Sequence, residues 1–291
     1  MMPTDYRKPF KRREFLKVGV LGAGAVATRG LSAPAAEPPA DPYDGFKMGL
    51  QSYSLRGFDV KTALAHTKRL GLRYWEAYPK HIPLETLPSH IERHQSLLDE
   101  ANVTLLSYGV LSFEANETTA RKAFDFAKLM GLVSISANPK KDSKTFDLLD
   151  RLVEEYDVAI AIHNHGPGAL YDKIDDVVEM VKDRHPKIGA CVDTGHYIRS
   201  DEDPVEALER LGKRVFGVHL KDVKTLVQND KRDKRYTVLG QGDLDIPGTL
   251  RVLKSLEYSS CLSLEYEENP ENPLSDIEVC LSKVRNAVRE L

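Results

Sequence analysis

The sequence has few cysteines, a single tryptophan and no large excess of charge of either sign. Its 291 residues include three Cys and one Trp. A small, odd number of cysteines argues against a disulfide-stabilised scaffold. We therefore expect Cys191, Cys261 and Cys280 to be buried as core residues. The formal charge of -3 provides no basic surface for nucleic acid, so the predicted partner is a small molecule.

Long hydrophobic runs are also missing. The longest candidate, residues 18–28, is Gly/Ala-rich and falls well short of the roughly 20 residues that span a bilayer. It follows Lys11-Arg12-Arg13-Glu14-Phe15-Leu16-Lys17 and precedes Ala33-Pro34-Ala35, the order of an export signal. The Arg-Arg-x-Phe-Leu-Lys order resembles the twin-arginine motif. We expect residues 1–40 to be a signal peptide and linker, with a basic, disordered tail as the alternative.

A signal peptide at residues 1–40 predicts where in the cell the protein is found. It predicts passage through the twin-arginine export machinery, a periplasmic or secreted protein, and no association with the membrane once the signal is removed. The sequence leaves the oligomeric state open, and a homo-oligomer is possible.

From residue 44 to 291, β-rich runs alternate with runs of helical period, as in repeated βα units. The strand candidates are 47–53, 73–76, 104–108, 133–137, 158–163, 188–193, 215–220 and 261–265. The helix candidates are 60–70, 90–101, 117–130, 144–156, 173–183, 204–211, 247–256 and 274–290. Eight such units over a length of about 250 residues predict a single-domain (β/α)8 TIM barrel. An open, doubly wound sheet is the structural alternative.

Four of these strand candidates end on residues that bind metals. They are His163, Asp193, His219 and Glu265. The ends of parallel barrel strands meet at one rim, where the active sites of such barrels lie. A mixture of imidazoles and carboxylates suits one divalent ion, with Mn favoured and Zn, Co or Fe possible.

The chain resembles the xylose isomerase-like TIM barrels from Phe46 onward. The resemblance rests on Asp193-Thr-Gly-His196, His219-Leu-Lys221-Asp222, Gly240-Gln241-Gly242 and Glu265. It implies a metal-dependent sugar isomerase or epimerase whose metal ligands follow strands five to eight. Asp193, His219 and Glu265 match that pattern, whereas His163 stands where the epimerases have glutamate.

Other residues at the same rim are candidates for catalysis and substrate binding. His165 or His196 can serve as a base or substrate contact, as can Glu265. Lys221 either stabilises developing negative charge or pairs with Asp222 or Asp193. The predicted substrate-binding residues are Glu76, Trp75, Lys80, His81 and Gln241.

Some of these candidates have a plainer interpretation. For Trp75 and Tyr78 the alternative is packing beneath a loop, and for the segment that holds Gln241 it is a tight turn.

The leading expectation for function is proton abstraction beside a carbonyl in a sugar isomerase or epimerase. A lyase or dehydratase acting on keto-sugars or 3-keto-glycosides is the alternative, because the fifth-strand glutamate of the epimerases is replaced by His163. A non-catalytic periplasmic sugar-binding protein is the third possibility.

Overall fold

In a computed structural model of the protein, eight parallel strands close into a barrel. The structure describes residues 41–229 and 231–291. The barrel strands are β1 (Lys47–Gln51), β2 (Tyr74–Ala77), β3 (Thr104–Phe113), β4 (Ser134–Pro139), β5 (Ala159–His163), β6 (Ile188–Asp193), β7 (Val215–Leu220) and β10 (Cys261–Leu264). They are paired in the order β1-β10-β7-β6-β5-β4-β3-β2. The prediction of a (β/α)8 barrel is therefore confirmed.

Helices surround the barrel, and most follow the predicted ranges closely. They are α1 (Val60–Arg69), α2 (Pro88–Ala101), α3 (Glu117–Met130), α4 (Ser143–Tyr156), α5 (Ile174–Val181), α6 (Thr194–Arg199), α7 (Pro204–Leu211), α8 (Ile246–Ser255) and α9 (Leu274–Arg289). The apolar stripe of α9 is buried, whereas Leu291 lies beyond the helix and is exposed.

Short polar residues begin several helices and glycines end others. The side chains of Asp59, Asn116 and Asp142 each accept a hydrogen bond from a backbone N–H in the first turn, which satisfies a donor that the helix leaves unpaired. Gly71 and Gly131 follow α1 and α3 with φ of 75° and 71°. This is the left-handed conformation predicted for both helix ends.

Two elements differ from the prediction. The stretch 221–246, expected to be irregular, contains an antiparallel hairpin of β8 (Asp222–Gln228) and β9 (Lys231–Thr237). Five of the seven residues of β9 are charged, so this strand lacks the apolar alternation by which half-buried strands are predicted. The short helix α6 was also missed, since its single turn and a half is too brief for a periodic signal.

The core lies both inside the barrel and between the barrel and the helices. The three cysteines are free and buried, as predicted. No helix in the described ranges is long and apolar enough to cross a membrane. The proposed signal, residues 1–40, lies outside the described residues.

Candidate metal centre and active site

The predicted metal ligands lie together at the C-terminal rim of the barrel. His163 and Asp193 are the last residues of β5 and β6, and Glu265 directly follows β10. Asp193 is in register with His219 of β7, and His219 is in register with Ser263 of β10. Parallel pairing therefore brings four residues that are distant in the sequence to one level of the barrel.

One ligand atom from each of these four residues lies within 4.8 Å of the others. His219 Nδ1 is 3.0 Å from His163 Nε2 and 3.0 Å from Glu265 Oε2. Asp193 Oδ2 is 3.6 Å from His163 Nε2 and 3.7 Å from His219 Nδ1. We call these four residues the metal cluster.

The chemistry of the metal cluster suits a divalent cation. Asp193 Oδ2 and Glu265 Oε2 are buried and share a single ammonium group, Lys221 Nζ, at 3.0 and 2.8 Å. Buried carboxylate oxygens are costly unless a cation or a hydrogen bond compensates them. Two imidazoles and two carboxylates are an established donor set for first-row transition metals, so the residues present fit the predicted ion.

Lys221 is buried beside the metal cluster and is engaged by carboxylates. Its Nζ lies 3.0 Å from Asp193 Oδ2, 2.8 Å from Glu265 Oε2 and 2.5 Å from Glu267 Oε1. Burial acts to lower the pKa of Lys221, but these carboxylates outweigh it and hold the pKa well above its usual value. Of the two predicted partners, Asp193 pairs with Lys221 and Asp222 does not.

The nearby cations keep the carboxylates of Asp193 and Glu265 ionised. Burial acts to raise the pKa of Asp193 and of Glu265, but Lys221 and the neighbouring histidines outweigh burial and place both pKa values below the usual range. The cluster thus presents anionic oxygens at neutral pH.

His165 and His196 face the cavity above the metal cluster, and their ring centroids are 5.2 Å apart. Burial lowers the pKa of His165 to about 4 and that of His196 to about 3. Both rings are therefore neutral at neutral pH and can accept a proton or a hydrogen bond.

Tyr236, which sequence reasoning missed, reaches the same cavity from the hairpin. Its hydroxyl accepts a hydrogen bond from Arg199 Nη1 at 2.7 Å and lies 3.2 Å from His196 Nδ1. Burial raises the pKa of Tyr236 to about 12, so the hydroxyl is a proton donor at neutral pH. Sequence reasoning could have placed Tyr236 near the rim only by predicting the hairpin over residues 222–237.

The cavity itself has a volume of about 380 Å³. Its walls combine aromatic rings with titratable groups. It is lined by Gln51, Tyr53, Tyr78, Pro79, Gly109, Val110, His163, His165, His196, Lys221, Tyr236, Glu265 and Glu267.

Trp75 and Glu76, predicted as substrate contacts, do not line this cavity. Trp75 is buried outside the barrel, where its indole N–H donates to Thr67 Oγ1 of α1 at 3.0 Å. Glu76 points to the opposite side of β2, into the barrel interior beneath His219. Adjacent strand residues face opposite sides, so one strand could not direct both side chains into the cavity.

The other three predicted contacts also lie away from the cavity. The His81 ring is buried between Ser52 Oγ at 2.9 Å and the Phe58 carbonyl at 3.1 Å. Lys80 and Gln241 are exposed and outside the lining residues. Tyr78 is the residue of this segment that reaches the cavity wall.

The glycines on either side of Gln241 serve the hairpin. The backbone N–H groups of Gly240 and Gly242 donate to Asp222 Oδ2 at 2.8 and 2.9 Å. A Cβ on Gly242 would lie 2.1 Å from the Asp222 carboxylate, so the turn requires glycine there.

The closed barrel and its rim cluster define the class of fold. Residues 143–283 match a protein-family model described as "Xylose isomerase-like TIM barrel". The motifs predicted this similarity, and the described chain as a whole has the closed (β/α)8 barrel fold.

Two curated proteins that resemble the chain are inosose dehydratases. The chain is 30% identical over 147 residues to an inosose dehydratase of Clostridium tetani, covering 45% of this chain and 49% of that protein. It is 24% identical over 238 residues to an inosose dehydratase of Geobacillus thermodenitrificans, covering 76% of this chain and 73% of that one. The chain thus spans about half the length of the first curated relative and almost three quarters of the second.

A solved structure of the IOLI protein with a bound zinc atom shares the fold. Its TM-score is 0.64 at 19% identity, over 84% of this chain and 99% of that one.

Proposed function

We propose that this protein is a divalent-metal-dependent lyase that removes water, or an alcohol, from an uncharged cyclic polyhydroxy ketone. The observation that carries the proposal is the metal cluster, which opens into a cavity holding two neutral histidines and a tyrosine hydroxyl. The inosose dehydratases to which the chain is similar favour this reaction over the isomerase that the sequence first suggested.

The metal cluster would hold the ion through His163, Asp193, His219 and Glu265. A bound divalent cation supplies Lewis-acid polarisation of a carbonyl, which lowers the cost of removing the adjacent C–H proton. Mn remains our first expectation, with Zn, Co or Fe as alternatives of the same ligand preference.

The cavity residues would move the protons. His165, neutral and beside the cluster, accepts the proton as the C–H bond adjacent to the ketone breaks. Tyr236 donates its hydroxyl proton to the leaving oxygen as the C–O bond breaks, so that water or an alcohol departs and a C=C bond forms. Arg199, which donates to the Tyr236 oxygen, then stabilises the phenolate until a proton returns.

The charges around the cavity favour an uncharged substrate. Lys221 is the cation among the described lining residues, and three carboxylates already engage it. No arginine in that described set lines the cavity, so no free cation remains for a phosphate or carboxylate group. Tyr53 and Tyr78 line the cavity with aromatic surface, which suits the apolar face of a sugar or cyclitol.

The metal cluster has one glutamate fewer than the pair that a two-base epimerase uses. Such an enzyme needs one base on each side of the substrate, and in the resembling epimerases a pair of glutamates serves this purpose. Here His163 occupies the fifth-strand position, which leaves Glu265 as the single glutamate of the cluster. Elimination requires one base and one acid, which His165 and Tyr236 can provide.

The test is a product assay on the metal-loaded protein. We expect an inosose or a 3-keto-glucoside to yield an enone, or a released aglycone, detected by absorbance and mass spectrometry. Recovery of an isomer carrying solvent deuterium, without loss of a group, would show an isomerase instead. Metal and ligand binding with no turnover would show a binding protein.

A Glu265→Gln variant is the control for the assay. It should lose turnover and retain less metal after dialysis, because it removes a cluster carboxylate at nearly constant shape. Full activity and full metal content in this variant would remove Glu265 from the site.

A further inference from the structure

A fully buried carboxylate lies directly beneath the metal cluster, and the proposed reaction does not use it. Glu76 has no solvent exposure, and its Oε2 lies 3.0 Å from His219 Nε2. Ser107 Oγ donates to the same oxygen at 3.1 Å. Glu76 Oε1 accepts no hydrogen bond from the described part of the chain.

The position of Glu76 is a product of the barrel. β2 is separated from β7 by β1 and β10 in the strand order, so the Glu76 side chain reaches His219 across the barrel interior and not from a neighbouring strand. The β2–β3 register shifts between Trp75 and Glu76. Such irregularities redirect side chains near active sites.

The two nitrogens of His219 face different surroundings. Nδ1 faces the metal cluster, with His163 Nε2 and Glu265 Oε2 each 3.0 Å away, whereas Nε2 faces the Glu76 carboxylate. An ionised carboxylate can only accept, so Glu76 favours the ring form that carries its proton on Nε2. That form leaves the Nδ1 lone pair directed at the cluster.

We propose that Glu76 is a positioning residue, which fixes His219 as an Nδ1 ligand and so sets the affinity of the centre for its metal. Ligating histidines commonly donate their second ring N–H to a carboxylate, and this contact orients the ring and increases its basicity. The proposal rests on the metal centre of the proposed function, and it replaces the predicted role of Glu76 in binding substrate.

The experiment compares metal binding by the full chain and two variants. Dissociation constants for Mn²⁺ and Zn²⁺ are measured by calorimetry, or by chelator competition, for wild type, Glu76→Gln and Ser107→Ala. We expect Glu76→Gln to weaken binding by about 10- to 100-fold, the usual effect of losing such a partner. Ser107→Ala keeps the carboxylate and removes one neutral hydrogen bond, so we expect a change below about threefold.

Each result separates the two proposals. Wild-type affinity in Glu76→Gln, with metal bound normally by the wild type, would overturn the role of Glu76 alone. A wild type that binds neither ion would overturn the metal centre and, with it, this role. Thermal melting of the metal-free variants checks that each is folded.

A second measurement needs no variant. In the zinc-loaded wild type, ¹⁵N NMR of the imidazole rings should show His219 protonated at Nε2 with Nδ1 bound to metal. A ring protonated at Nδ1 would overturn the proposal even if Glu76→Gln failed to fold.

Discussion

At the scale of single residues, Tyr236 shows how one hydroxyl acquires a chemical role from its neighbours. Arg199 donates to its oxygen, and His196 Nδ1 lies 3.2 Å away. Burial keeps the phenol protonated by raising its pKa to about 12. The hydroxyl is therefore available to donate a proton at the cavity wall.

We predict that Tyr236→Phe lowers kcat by about 100-fold, toward the lower end of the usual contribution of a general acid. KM should change only a few-fold, because the ring remains. Steady-state kinetics on the substrate identified in the product assay provide the measurement. Tyr53→Phe is the matched control, since it removes another cavity hydroxyl without touching His196. Wild-type kcat in Tyr236→Phe would exclude Tyr236 as the acid.

His196 makes the stability of the metal-free protein depend on pH. Its pKa is about 3 when folded, because of burial, against about 6.5 when unfolded. Below pH 6.5 the His196 imidazole binds a proton in the unfolded chain but not in the folded chain. The free energy of unfolding therefore falls as the pH falls toward 3. The contribution is fully present above pH 6.5.

We therefore predict that from pH 6 to 5 the wild type loses about 1 kcal/mol more unfolding free energy than His196→Gln. Urea unfolding of the metal-free proteins at both pH values measures the difference. His66→Gln, which changes a half-buried histidine of α1 that does not line the cavity, is the matched substitution for comparison. Equal losses in wild type and His196→Gln would contradict the assignment of a neutral, buried His196.

At the scale of elements, the hairpin β8–β9 depends on one aspartate. The Asp222 carboxylate accepts backbone hydrogen bonds from Val223, Gly240, Gly242 and Leu244, at 2.8 to 3.0 Å. These bonds connect the start of the hairpin to the segment that follows it. The same hairpin supplies Tyr236, so its anchoring also positions the proposed acid.

We predict that Asp222→Ala lowers the free energy of unfolding by about 3 kcal/mol, because it leaves four backbone N–H donors, two of them buried, without a charged acceptor. Trypsin should also cleave the hairpin faster, at its many Lys and Arg residues. Urea unfolding and timed proteolysis are the measurements. Lys224→Ala removes only an exposed pair with Asp243 and should cost less than 1 kcal/mol.

Uninterrupted apolar runs for the strands and helical periodicity for the helices explain which element predictions succeeded. The ranges of β6, β7, α3 and α7 were predicted to the residue, because apolar runs and polar ends mark them clearly. The hairpin was missed since five of the seven residues of β9 are charged, which leaves no alternation of apolar and polar residues to predict a strand. Trp75 and Glu76 were both assigned to the cavity, although neighbouring residues on one strand cannot share a face.

At the scale of the whole molecule, the export signal remains a prediction that concerns residues 1–40. We expect the double variant Arg12→Lys/Arg13→Lys to stay in the cytoplasm of a host with twin-arginine export, with its N-terminus uncut. Wild type and a Lys17→Arg control should reach the periplasm and lose the segment up to Ala33-Pro34-Ala35. Fractionation and N-terminal sequencing give the answer, and normal export of the double variant would exclude this route.

By itself, the sequence determined the number and order of the βα units, and with them the rim on which His163, Asp193, His219 and Glu265 meet. Local periodicity is enough for this, because parallel strands in a closed barrel carry their ends to one side. Only the tertiary structure decided that Glu76 lies under His219, that Lys221 pairs with carboxylates of the cluster, and that Tyr236 reaches the cavity. Those contacts depend on which way a side chain points across the barrel and on how a polar hairpin folds back. Neither feature produces a periodic pattern of apolar and polar residues in the sequence.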